Sequence, residues 1–355
     1  MAKVRHLNLP KARPGNLTSL FCLLGSIFLL SACKESAGFN QIQFVGPTMG
    51  TEYHVNVVVR KGDIVDENLD RLITERLRAI SQSMSTYIAD SELSLINSDQ
   101  SQQWLKVSDQ LFEVLWIAQQ VSRLSAGAFD ITIAPLVNLW GFGPDYLEEG
   151  QIPSEIEVAA LLQQVGFEHL ELNSESKTIK KNQNLTLDLS AIAKGYAADD
   201  LGRLLQSLGY QNYMVEIGGE LALKGHNVQG TAWRIGIESP SLTHAKVNQA
   251  IAVSDVGVAT SGNYRNYFER DGQRYSHAID PITGKPITHN LASVTVVANS
   301  AAEADALATA INVLGYSAGK AMAEKNQLAV YFIIKRGDKF VSDYTANFSR
   351  YLTKR

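Results

Sequence analysis

The chain has 355 residues, 45% of them hydrophobic and 19% charged, with 32 Lys and Arg against 36 Asp and Glu. This composition supports a domain with a substantial core. It excludes collagen-like, low-complexity and multi-span membrane chains, because no apolar run approaches the roughly 20 residues a spanning helix needs. Residues 1–32 carry Lys3, Arg5, Lys11 and Arg13 and no acid, so the remainder holds 28 basic against 36 acidic residues, a net −8, and is a poor partner for nucleic acid.

The basic start leads into Leu17–Leu30, an apolar segment of signal-peptide length, which ends in Leu30-Ser31-Ala32-Cys33. Small residues before a cysteine resemble a bacterial lipobox. Residues 1–32 are therefore expected to be a lipoprotein signal, Cys33 the lipidated N-terminus and 33–42 a tether. The alternative is an ordinary signal peptide with a chance cysteine. Residues 43–345 are expected to form one domain, with 346–355 a C-terminal tail. Cys22 leaves with the signal and Cys33 is consumed by lipid, so the mature body has no thiol for disulfide, nucleophilic or metal chemistry.

Along the body, Thr51–Val59 alternates as a strand does, and Ile64–Met84 carries helical spacing. Ser108 predicts the cap of a helix that Gly127 stops, and Ser154 with Glu157 a capping box for a helix ending at Gly166. Strands are predicted around Leu170 and Leu185, then a helix from Ala191 to Leu208 closed by Gly209, and several strands between Tyr213 and Val258. Asp271-Gly272 reads as a hairpin turn. The strand Leu291–Ala298 precedes a helix opened by Ser300 and Glu303, and Leu328–Ile334 is the last strong strand. Strands and helices mix without a βαβ rhythm, which predicts a single α+β domain and not a Rossmann fold.

No H-E-x-x-H, G-x-S-x-G, Walker or G-x-G-x-x-G motif occurs, and no two histidines stand four apart. The chemistry-bearing segments lie elsewhere. In Asp188-Leu-Ser-Ala-Ile-Ala-Lys-Gly195, Ser190 is the expected N-cap of the next helix. Lys194 then falls in the first turn, where a cation opposes the helix dipole. An anion held by Lys194 and free backbone N–H groups would resolve that conflict; so would solvent exposure, or pairing with Asp188 or Asp199. Asp305 and Thr309 share a helix face among small residues. That pattern suits a hard cation with oxygen ligands, or else a solvated stripe Asp305–Thr309–Asn312. Ala128-Phe129-Asp130 and Trp140-Gly-Phe-Gly-Pro-Asp-Tyr146 combine glycines with flat side chains that stack a planar ring or simply pack a loop. His277, flanked by turn residues and Asp280, is a candidate general base or a structural histidine.

Taken together and in order, these segments resemble the ApbE family of flavin transferases. The matching pieces are Met49-Gly-Thr51, Ser85-x-Tyr87 with Ser91-Glu92, Gly127-x-Phe129-Asp130 with Pro135, and Trp140-x-Phe142. They continue with Asp188 to Gly195, Gly218-Gly-Glu220, Thr260 to Tyr264, His277-x-x-Asp280-Pro-x-Thr-Gly284 and Ala304 to Thr309, with Ala278 in place of a larger aliphatic. The resemblance covers Gln43 to Tyr344. It implies a Mg²⁺-dependent enzyme that takes FAD as substrate and transfers its FMN half to a threonine hydroxyl of a target protein, releasing AMP. It further implies flavin contacts from Met49, Tyr87, Ala128, Phe129, Asp130, Asp188, Lys194 and Ile279. Metal ligation is implied for the Ala191 carbonyl, Asp305 and Thr309, with Ala308 close by, and His277 is the candidate base. The implied partners are exported subunits of Nqr- or Rnf-type electron-transport complexes, which favours the periplasmic side of the inner membrane. The missing Asp at Lys34 leaves the outer membrane open. An FAD pyrophosphatase and a non-enzymatic FAD-holding lipoprotein are the alternatives.

Overall fold

The computed structural model describes residues 38–144, 152–240, 247–262, 267–270 and 273–353. The signal peptide, Cys33, Asp145, Tyr146, Asn263, Tyr264 and the Asp271-Gly272 turn lie outside the described residues.

The chain opens on a hairpin of β1 (Phe39–Thr48) and β2 (Thr51–Arg60). Its two-residue turn places Met49 and Gly50 at φ of 46° and 71°, the left-handed pair whose twist matches that of the strands. There follow α1 (Leu69–Met84), α2 (Glu92–Ser98), the short β3 (Leu105–Lys106) and α3 (Asp109–Leu124). Ser108 caps α3 as predicted, its hydroxyl accepting the Leu111 N–H at 3.2 Å. Next come α4 (Ala134–Leu139) and α5 (Glu155–Leu162), the latter opened by the reciprocal Ser154–Glu157 box. The chain continues through β4 (Leu170–Asn173), β5 (Thr178–Lys181), α6 (Ala193–Ser207), β6 (Tyr213–Ile217) and β7 (Glu220–Lys224). Then follow β8 (Trp233–Glu238), β9 (Val247–Val253), β10 (Val256–Gly262), β11 (Tyr267–Arg270) and β12 (Gln273–Ser276). The last elements are β13 (Ile279–Asp280), β14 (Lys285–Pro286), β15 (Leu291–Ala298), α7 (Ala301–Lys325), β16 (Ala329–Arg336) and β17 (Lys339–Tyr344).

Eight strands form one sheet in the order β1-β2-β6-β7-β10-β15-β16-β17, every neighbour antiparallel. Strand parity divides its side chains between two cores. Val55, Val57, Val215, Val294, Val296, Val330 and Phe332 meet α1, α3, α6 and α7 on one face. Val58, Leu221, Leu223, Val297, Tyr331 and Ile333 face the β8–β9 hairpin on the other. Central strands such as β15 are buried on both faces, which is why they read as unbroken apolar runs. The α+β architecture is the one expected from sequence.

Several boundaries differ from expectation. β1 starts at Phe39, inside the expected tether, because it pairs along its whole length with β2. The expected C-terminal tail contains a 3₁₀ turn, Ala346–Tyr351, that buries Phe348 completely in the hairpin-side core. Leu185 lies in no strand; it and Leu187 are buried from a loop, so their alternation marks burial and not ladder pairing. α5 ends at Leu162, short of Gly166, and α1 begins at Leu69, leaving Ile64 exposed.

Candidate functional site

A cleft of ≈ 1100 Å³ opens at one end of the sheet, where β2 begins, β6 turns into β7 and β10 finishes. Tyr87, Ala128, Phe129, Asp130, Asp188, Ala191, Lys194, His277, Ile279, Asp305 and Thr309 all line it. The fold thus gathers residues from five separate stretches of sequence into the walls of one cleft. Two expected residues fall outside those walls. Met49 sits in the β1–β2 turn with Thr51 and Glu52 lining the cleft beside it, and Ala308 points into the helix-side core, fully buried.

The helix that carries Lys194 begins differently from the prediction. The N-cap position belongs to Ile192, and Ser190 lies two residues upstream with its N–H held by Asp188 Oδ1 at 2.7 Å. Asp188 in turn donates its own N–H to the Ile131 carbonyl at 2.7 Å, which pins this loop against the Phe129–Ile131 segment. Two of the backbone N–H groups expected to be free for an anion are in use. Ala193 donates to the Leu189 carbonyl at 2.8 Å, and Gly195 donates to Asp305 Oδ2 at 3.1 Å. The anion at the positive end of α6 is therefore a carboxylate of the protein itself.

Lys194 and Asp305, read separately from sequence, form one cluster. The Lys194 ammonium lies 3.5 Å from Glu220 Oε1, 4.0 Å from Asp305 Oδ2 and 3.3 Å from the Ser190 carbonyl. Its direct ion pairs are thus with Glu220 and Asp305, while Asp188 acts on it only at longer range. Burial works against the lysine's charge, but Asp305 and Glu220 more than offset this and hold its pKa above the ordinary value. For Asp305, only 5% exposed, burial raises the pKa and the Lys194 charge and the Gly195 N–H compensate only in part. Burial, then the charge of Asp305, likewise pushes Glu220 up.

The solvated-stripe reading of Asp305–Thr309–Asn312 fails, because Asp305 and Asn312 are buried. Gly195 explains how α6 and α7 come close enough for the Asp305 contact: a Cβ there would lie 2.6 Å from the Ala301 carbonyl carbon. Asp199 of α6 completes the seam. Its two carboxylate oxygens accept the Ala301 and Ala302 N–H groups at 2.8 Å each, while Ser300 Oγ accepts from Glu303.

On the opposite wall, Asp130 braces the loop as well as lining the cleft. Oδ1 accepts from the Thr132 N–H and hydroxyl, and Oδ2 from the Phe167 N–H at 2.9 Å. His277 is half-buried and edge-on to Phe142, with ring centroids 6.4 Å apart. Tyr87 is largely exposed at the mouth, free to lie against a flat ligand.

Among the described residues no three His, Cys, Asp or Glu side chains gather into a metal cage. What the cleft offers a hard cation is the Asp305 carboxylate with the Thr309 hydroxyl and Ala191 nearby. So sparse a set suits an ion that keeps waters and shares phosphate ligands. The charge balance fits a cation too: two buried carboxylates face one ammonium, and Glu220 Oε2 is buried without a hydrogen-bond partner. In the sequence Glu220 stands out only as part of a motif, and Asp199 only as a possible lysine partner. The signal for Glu220 was its place directly after two glycines; for Asp199 there was none, since its partners lie over 100 residues away.

Fold and cleft together define an α+β protein with a large cleft into which one ammonium and two acidic side chains converge. A model described as the ApbE family matches residues 49–332. The chain is 44% identical over 332 residues to the FAD:protein FMN transferase of Vibrio cholerae, covering 93% of this chain and 98% of that protein. It is 41% identical over 328 residues to that of Haemophilus influenzae, covering 90% and 94%. Among solved structures, the flavin transferase ApbE from Vibrio cholerae superposes with a TM-score of 0.81 at 41% identity, over 88% of this chain and all of that one. The chain belongs to the ApbE family.

Proposed function

We propose that this protein transfers the FMN half of FAD to a threonine hydroxyl of a partner protein, with Mg²⁺, releasing AMP. Flavin transfer from FAD to a protein is supported by the relatives' activity and by family membership over most of the chain. The observation that carries the finer reading is the Lys194–Glu220–Asp305 cluster, one cation against two buried acids in a cleft large enough for a dinucleotide.

In this reading Lys194 binds the diphosphate, neutralising part of its charge and fixing the phosphorus to be attacked. Tyr87, Ala128, Phe129 and Ile279 hold the flavin ring, which stays chemically idle. Asp188 and Asp130 keep their loops in register against that ring. Asp305, Thr309 and the Ala191 carbonyl would hold Mg²⁺, with Met49 and Ala308 supporting from outside the wall. When bound, the ion supplies Lewis-acid polarisation of the phosphate and offsets charge on the departing AMP. His277 accepts the proton of the incoming threonine hydroxyl as its oxygen bonds to phosphorus and the bond to AMP breaks.

The test is mass spectrometry of a flavin-accepting subunit incubated with the protein, FAD and Mg²⁺. A gain equal to FMN less one water, with AMP released, supports transfer. An unmodified acceptor with free FMN and AMP supports the FAD pyrophosphatase, and FAD bound without turnover the carrier. The proposed acceptors are exported subunits of Nqr- or Rnf-type complexes. Lipidation at Cys33 would hold the enzyme beside them on the periplasmic side of the inner membrane; globomycin should then accumulate an unprocessed precursor, and normal processing would contradict the anchor.

A further inference from the structure

The Gly218-Gly219-Glu220 segment is given no step of its own in the chemistry proposed above, yet it is built around Lys194. Gly218 and Gly219 connect β6 to β7 at φ of 63° and 107°, a turn that other residues adopt only under strain. A Cβ on Gly218 would lie 3.2 Å from Lys194 Cδ and 3.0 Å from Thr51 Cγ2, so bare backbone gives the lysine's aliphatic chain its path into the cleft. The turn then delivers Glu220 with its side chain 7% exposed and Oε1 at 3.5 Å from the ammonium. Its second oxygen is buried with no partner. Leaving a carboxylate oxygen unsatisfied inside a protein is costly, and a fold keeps such a group where something else depends on it.

What depends on it is the position of the ammonium. Glu220 of β7 and Asp305 of α7 both lie within 4.0 Å of the same Nζ, and Glu220 is the nearer, at 3.5 Å. With Glu220 uncharged, Lys194 has one ionic partner left, and closing on Asp305 would neutralise both groups at once.

We propose that Glu220 is a positioning residue: it holds Lys194 between β7 and α7 as the contact for the substrate's diphosphate, and keeps the ammonium from collapsing onto Asp305. This rests on the assignment of Lys194 to the diphosphate made above. Glu220, which also lines the cleft, acts here through Lys194.

The test is a double-mutant cycle on FAD binding, read by flavin fluorescence with no acceptor present, so that it does not depend on transfer. Glu220→Gln should weaken FAD binding about 10-fold, a coupling typical of groups in direct ionic contact. In a Lys194→Met background the same change should alter binding less than about two-fold, because the group through which Glu220 acts is gone. Glu220→Asp, which keeps the charge, should restore part of the loss. Thermal melts of each variant separate misfolding from repositioning, and Glu220→Asp serves if Glu220→Gln does not fold. An equal loss in both backgrounds, or no loss in Glu220→Gln, overturns the proposal and leaves the diphosphate assignment standing. Wild-type affinity in Lys194→Met alone overturns that assignment and the proposal with it.

Discussion

Two charge clusters flank α6, each with a buried aspartate, and they are balanced differently. On its outer side Arg76 of α1 and Arg203 of α6 both reach Asp200, and Arg203 also reaches Glu113 of α3, so two bases meet two acids. On its inner side Lys194 alone meets Glu220 and Asp305, one base against two acids. Asp200 and Asp305 are equally inaccessible, at 1% and 5% exposure. The difference is that both oxygens of Asp200 are occupied by guanidinium groups, whereas the inner cluster has one more acid than base and an unpartnered oxygen. A balanced ion-pair cluster fastens helices together. An unbalanced one in a cleft needs a cation or a ligand from outside, and that is the mark of a site.

The sharpest way to break this comparison is to remove each acid in turn. Asp305→Ala should lower transfer by at least about 100-fold, the scale of losing a main electrostatic contact in a reaction centre, with little change in melting temperature. Asp200→Asn should do the reverse. It should cost about 1–3 kcal/mol of stability, less than for a fully enclosed pair because both guanidinium groups reach water, and leave the rate per folded molecule unchanged. Chemical denaturation and single-turnover transfer assays on the two variants decide between them; equal effects on both quantities would erase the distinction.

The seam that holds the inner cluster together is the next point of attack. Gly195→Ala places a methyl against the α7 backbone at Ala301 and should cost about 1–3 kcal/mol, with loss of the Asp305 contact measurable as weaker FAD binding. The smallest expected effect concerns pH. Burial pushes Asp199 up from 3.8 to about 6, although the N–H groups of Ala302 and Ala301 act to lower it. A raised carboxyl stabilises the fold while protonated and loses that contribution as it ionises. Wild-type stability relative to Asp199→Asn should therefore decline as pH rises from about 4 to about 6 and level off above; melts across that range check it.

Much of the fold was legible because it is written in local rules. Caps at Ser108 and Ser154, the alternation of β2 and the long apolar β15 each depend on residues close in sequence. Asp305 and Lys194 were legible as oddities, a carboxylate among alanines and a cation at the wrong end of a helix. What sequence could not supply was their meeting, 111 positions apart, or that Gly195 and Gly218 exist to let backbone and side chain pass. The expected Ser190 cap failed because Asp188 takes the Ser190 N–H and the chain turns twice more before α6 begins. Leu185 misled because a buried loop and a buried strand share one hydropathy pattern.

The most direct test of the central claim is calorimetric titration of Mg²⁺ into the wild type, Asp305→Asn and Asp200→Asn, each saturated with FAD. The unbalanced cluster should bind the ion in the wild type and in Asp200→Asn and fail to bind it in Asp305→Asn. Undiminished binding in Asp305→Asn, or none in the wild type, would contradict the account.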